Sequence, residues 1–179
     1  MLSLQRIPGL LFAALRSNLS PNYWSQATWT VLRVVAGVVM VHNGLNKLSD
    51  IQSFADAYVS VIGLPFPIFF SYCAAFTETI AAPLLAIGLF TRPAAAGLFT
   101  TMLVAIYHHV LVSGFNIPYL ELSALYAACF LFFTVNGGGL FSADTWIAGL
   151  LDAATGKQRS KQQERLETAY QNTEAITRK

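Results

Sequence analysis

Four stretches of about 20 residues are apolar almost throughout, the length an α-helix needs to cross the hydrocarbon core of a bilayer. They run over residues 28–46, 66–90, 94–113 and 119–136. With 55% hydrophobic and only 11% charged residues, the chain lacks the polar surface of a soluble domain, which carries about 25% charged side chains. Residues 17–156 hold only nine of those charges, and the rest gather at the two ends. The short connections at 91–93 and 114–118 force antiparallel neighbours, while 47–65 is left as the longest loop. The expected fold is all-α: an integral membrane antiparallel four-helix bundle with short interfacial helices at both ends.

The ends and the orientation follow from charge. Residues 1–26 read as an N-terminal interfacial segment, its helix started by Pro8; no small-x-small cleavage site follows, which argues against a signal peptide. Residues 27–140 form the four-span domain, and 141–156 a second interfacial helix with Ser142 or Asp144 as its N-cap and Trp146 as an anchor. Residues 157–179 are a charged, solvated tail. Arg6, Arg16, Arg92 and the tail lysines and arginines lie on one side, against Lys47 alone on the other. The positive-inside rule then places both termini in the cytoplasm.

Ionisable side chains within the spans are costly in hydrocarbon and become the candidate site. Arg33, Gly37, Met40, Gly44 and Lys47 share one stripe of the first span, and its two glycines admit a close neighbour, so Arg33 and Lys47 point inward. His42 lies on the opposite side and reads as an outer-interface histidine. Glu78 is flanked at helical spacing by Ala74, Ala75, Ala81 and Ala82, which aims it at another helix near the bilayer midplane. There it is either protonated or partnered, and it serves either as hydrogen-bonding glue between helices or as a functional group. Arg33 is just within reach by depth, and His108, His109 and Glu121 lie near the same height. The outer half of the bundle is thus expected to gather Lys47, Glu78, one of His108 or His109, and Glu121 into a polar pocket. A cluster of the histidines and Glu121 wetted from the outer aqueous phase is the plainer alternative.

A histidine with two carboxylates can relay protons or hold a transition metal, but ligands drawn from three helices form no local metal motif, and no metal is expected. Haem and zinc signatures are missing from the sequence as well. Cys73 and Cys129 lie in different spans with no basic neighbour and read as packing residues. A net charge of +2 leaves no footprint for nucleic acid.

Leu32-Arg33, Gly37, Gly44-x-x-Lys47, Gly63-Leu64-Pro65 and the membrane Glu78 come in an order that resembles the DoxX family of four-span membrane proteins. Ile87-Gly88-Leu89-Phe90-Thr91-Arg92, His108 and Gly137-Gly138-Gly139-x-Phe141-Ser142-x-Asp144 extend the resemblance over about residues 30–145. It implies a compact bundle in a prokaryotic inner or thylakoid-type membrane. For some members it also implies association with quinone-linked redox systems. The family supplies no cofactor of its own beyond that link to quinone.

Three functions compete. An accessory or quinone-interacting subunit of a membrane redox complex is the first, and predicts a lipid-accessible cleft at the depth of Glu78. A structural or assembly subunit docking on other membrane subunits is the second, motivated by the lack of a catalytic constellation. A small transporter or ligand-binding protein is third, since four spans without inverted repeats or broken helices argue against alternating access. A non-catalytic subunit is favoured over a stand-alone enzyme.

Overall fold

The computed structural model describes residues 22–153 together with Leu15, Ser17 and Gly156. The expected N-terminal helix from Pro8 and the charged tail lie outside these residues. Helix α1 (Tyr23–Ser49) starts where the Asn22 side chain accepts the Trp24 N–H at 2.9 Å, satisfying one of the free donors of its first turn. Helix α2 (Ile51–Phe54) and a π-helical turn (Ala55–Val59) follow at once. Helix α3 (Pro67–Ile87) opens on a proline at its first position, where the missing N–H costs nothing. It closes on Gly88 at φ 75°, with the Gly88 and Leu89 N–H groups both returning to Leu84 O. Helix α4 (Thr91–Ser113) and helix α5 (Ile117–Asn136) complete the set, α5 ending on Gly137 at φ 80°.

All four long helices are apolar and long enough to span a membrane, and the protein is an integral membrane antiparallel bundle. Helices α1, α4 and α5 run past their hydropathy windows because caps and end turns carry the helix beyond the apolar run, while α3 stops short of its window at the Gly88 turn. Neighbours pack in the order α1, α3, α4, α5, with α1 and α5 meeting at few points, one of them the Trp29 and Phe132 rings 4.8 Å apart. Gly37 explains the closeness of α1 to α3: a β-carbon there would fall 2.8 Å from Ala82 O and from Ala86 Cβ. Ala36, Met40, Ala82, Leu85, Leu98 and Phe130 fill the centre. Valines and leucines such as Val31, Val38, Leu111 and Leu125 cover the outside.

The segment over 47–65 corrects the expectation of a loop. Lys47 belongs to the last turn of α1, and Asp50 caps α2 by accepting the Ser53 N–H at 3.1 Å. Ala55 and Val59, one helical turn apart, are buried beneath, so the segment lies on the bundle as a lid. Ser142, one of the two expected caps, does cap the following helix, its Oγ accepting the Thr145 N–H at 3.2 Å. The chain forms two compact units, Met1–Thr145 and Trp146–Lys179, and in the second residues 146–153 are helical.

Candidate functional site

Charged side chains turn into the bundle in both halves of α1, and the two settings differ. Arg33 is 2% exposed. Its guanidinium donates to Gly138 O and to Phe141 O, each at 2.8 Å, a fork that suits a planar, delocalised cation. Three glycines let the backbone come this close: a β-carbon at Gly88 would fall 2.6 Å from Ser142 Cβ, and one at Gly138 would fall 2.9 Å from the guanidinium. A β-carbon at Gly139 would meet Gln26 Oε1 at 2.9 Å, and that same oxygen accepts the Leu140 N–H. Asp144 supplies opposite charge to Arg33 and also accepts the N–H groups of Phe90 and Thr91 at 2.7 and 2.8 Å. Phe90, left-handed at φ 48°, has no side-chain cap of its own to offer, so a residue more than fifty positions away caps α4.

At the other end, Lys47 donates to both oxygens of Glu78. Glu78 is fully buried and Lys47 one-fifth exposed, so the lysine bridges the carboxylate to the edge of an open cavity of about 960 Å³. Gly44 brings α1 against α3 here, since a β-carbon on it would fall 2.6 Å from Thr79 Oγ1 and 3.0 Å from Glu78 Cβ. The lid forms one wall, with Phe54 beneath the Lys47 ammonium at 5.3 Å and Tyr58 stacked obliquely on His108 at 4.7 Å. Helix α3 contributes Phe70, Ala74 and Thr77, and α4 contributes Gly97, Thr101 and Val104. Cys73 on α3 and Thr100 and Val104 on α4 line the cavity and are exposed, so it opens sideways between these helices, toward lipid. The lining is chiefly apolar, and its polar points are the ion pair, His108 and His109, the amides of Asn43 and Asn46, and the hydroxyls of Ser53 and three threonines.

The six candidates are thereby divided. Lys47, Glu78, His108 and His109 border the same cavity. His108 is the buried histidine, its Nε2 3.2 Å from Ala57 O, and His109 is half-buried beside Tyr119. Arg33 does not join them: fourteen residues before Lys47, it lies about 21 Å away along the axis and spends its fork on the Gly138 segment. Glu121 does not line the cavity either. The inner face of α5 carries Ser123, Ala127, Phe130 and Phe133, and Glu121, Leu125 and Ala128 are exposed on its other side. His42 is exposed and accepts from Asn46 Nδ2 at 3.1 Å. Sequence reasoning missed the lid residues Phe54, Ala57 and Tyr58; the spacing of Phe54 and Tyr58 by one turn after Asp50 was the available signal. Among the described residues no three His, Cys, Asp or Glu side chains come together as a metal-binding group.

The model of one protein family, DoxX, matches residues 28–114, which run from the first turns of α1 to the end of α4 and include Arg33, the cavity's ion pair and His108. No curated protein and no solved structure gives a significant match.

Proposed function

We propose, for a chain that belongs to the DoxX family of membrane proteins, that the cavity takes up an apolar, quinone-type molecule from the bilayer. In this reading the protein serves a membrane redox complex as a ligand-holding subunit. The observation that carries it is the Lys47–Glu78 pair at the edge of a largely apolar cavity open between α3 and α4. Small-molecule sites are typically of this kind: a few hundred to about 1,000 Å³, apolar, with a small number of convergent polar groups. A charge pair in hydrocarbon is expensive to keep, and a salt bridge replaced by apolar packing is often no less stable. Its retention beside an open volume fits a polar head group that needs both a donor and an acceptor. With both termini in the cytoplasm, as the distribution of arginine and lysine favours, the cavity lies in the outer half of a prokaryotic inner or thylakoid-type membrane.

The test is binding of a short-chain alkyl hydroquinone, kept reduced under anaerobic conditions, to the protein in nanodiscs. Glu78→Gln is expected to weaken binding about tenfold, the cost of one charge-assisted hydrogen-bond network, while the protein stays folded by circular dichroism. Equal affinity in a folded variant removes Glu78 from the site.

A further inference from the structure

Helix α1 carries a second set of polar side chains, on the side opposite Arg33. His42 and Asn46 are exposed, one helical turn apart, and bonded to each other, Asn46 Nδ2 donating to His42 Nε2 at 3.1 Å. The packing of α1 on α3 fixes their depth. A β-carbon on Gly44 would meet Thr79 and Glu78, so His42, two residues away, lies within about 3 Å of the height of Glu78. Glu78 falls near the middle of α3, a helix of the length that spans a bilayer. The sequence alone placed His42 at the outer interface; the structure places it at mid-depth, on the outside of the bundle. Ionisable side chains at that depth almost always face a bundle interior or a water-filled space. His42 faces neither, since it is exposed and lies outside the cavity lining.

The pair also has bonds left to make. An amide N–H can only donate, so Nε2 accepts and, in the neutral ring, Nδ1 carries the hydrogen. One donor on His42 Nδ1 and one acceptor on Asn46 Oδ1 are then unused, and both atoms remain accessible. Around them, Val31, Val35, Val38, His42, Leu45 and Ser49 are all exposed and follow at spacings of four, three, four, three and four. That is the 3.5-residue repeat along which two helices keep a continuous seam. Exposed valines need no partner in lipid, but the imidazole and amide set among them do.

We propose that this face of α1 docks on the same face of a second copy of the chain, the two helices parallel about a two-fold axis normal to the membrane. Such an axis sets equal depths opposite each other, so the His42 donor of one copy meets the Asn46 acceptor of the other, twice. A carboxylate or ammonium on this face would call for a partner of opposite charge, whereas this pair is complementary to itself. Asn46 also lines the cavity, so the interface runs along the cavity's rim, but it stands whether or not the cavity holds a ligand.

The test counts subunits by photobleaching of the full chain, labelled with one fluorophore, in liposomes of zwitterionic lipid over a range of protein-to-lipid ratios. Two-step molecules should prevail at the higher ratios. Asn46→Leu and His42→Leu should each raise the dissociation constant about tenfold, a loss in the range found for hydrogen bonds between membrane helices. Glu121→Gln, on the exposed side of α5, should leave it unchanged. In a Cys73→Ser, Cys129→Ser background, oxidation should join copies through Val38→Cys and Leu45→Cys but not through Leu125→Cys on α5, a map that leaves His42 and Asn46 intact. Single-step molecules at every ratio, dimers that ignore both α1 substitutions, or copies joined through Leu125→Cys alone overturn the proposal. So does a single copy whose His42 face is covered by a different protein.

Discussion

Arg33 and Lys47 sit on one stripe of one helix, both drawn inside the bundle, yet one lies in a sealed wall and the other at the edge of a void. Around Arg33 the groups that satisfy the charge are main-chain carbonyls of the Gly138 segment, brought near by glycines that leave no room for a single added methyl. Around Lys47 the satisfying group is one carboxylate, and about 960 Å³ of open volume lies alongside. A charge held by backbone at close packing can only hold the fold, since any ligand must displace the chain itself. A charge pair beside open volume has a face left over. The difference lies less in the basic residue than in what its neighbours leave unfilled.

If that contrast is right, damage at the Arg33 end should appear as lost stability. Arg33→Met takes the donor from the Gly138 and Phe141 carbonyls and the cation from beside Asp144, and is expected to cost about 4 kcal/mol in denaturant unfolding from mild detergent. Gly88→Ala adds a left-handed strain, φ being 75°, to a clash with Ser142, for a loss of about 3 kcal/mol. A loss below about 1 kcal/mol for both would erase the distinction between the two ends.

How much of this contrast was legible in the sequence depends on distance along the chain. The spans and the inward stripe of α1 were readable because they rest on local periodicity, and Glu78 showed its direction through its alanine neighbours. Lys47 was placed with Glu78 by its inward stripe and its position in the outer half. Arg33 was drawn into the wrong group because a helical wheel gives direction around the axis and says nothing of what waits there; its partners lie more than a hundred residues away. Asp144 was read as a local cap, and it instead caps a helix that begins fifty-three residues earlier. Glu121 was drawn in by its height, and the apolar residues around it on α5 mark the lipid side in a membrane as readily as the core. Asp50-x-x-Ser53 was a readable cap in the segment taken for a loop.

The Lys47 end should respond differently, with coupling and binding as its signatures. Lys47→Met leaves a buried carboxylate alone and is expected to cost about 3 kcal/mol. Adding Glu78→Leu should restore more than half of that loss, because the second change removes the stranded charge. Strictly additive losses in this double-mutant cycle would mean that the pair is not coupled. Gly97→Ala sharpens the point, since its β-carbon would lie 3.2 Å from Thr77 Cγ2 in the cavity wall. Its stability cost should stay under about 1 kcal/mol, while alkyl hydroquinone affinity falls about threefold as the volume shrinks.

The smallest effect is expected at the lid, where the cavity wall depends on one exposed cap. Asp50 accepts from Ser53 twice, from N at 3.1 Å and from Oγ at 2.6 Å, and these bonds hold its carboxyl below the usual carboxylate range. A carboxylate favoured in the folded state adds its stability above the unfolded pKa, near 3.8, and loses it as pH falls through the lower folded value. The start of the lid should therefore be fully capped at neutral pH and loosen only in acid. Hydrogen exchange over residues 51–59, corrected for intrinsic rates, should rise as pH drops below about 4, and Asp50→Asn should flatten that dependence. Exchange at the Gly88 and Leu89 amides, both held by the main-chain Leu84 O, gives the control at the sealed end. If the lid amides stay as protected in acid as at neutral pH, the cap does not hold the lid, and the burial of Ala55 and Val59 alone keeps the cavity wall in place.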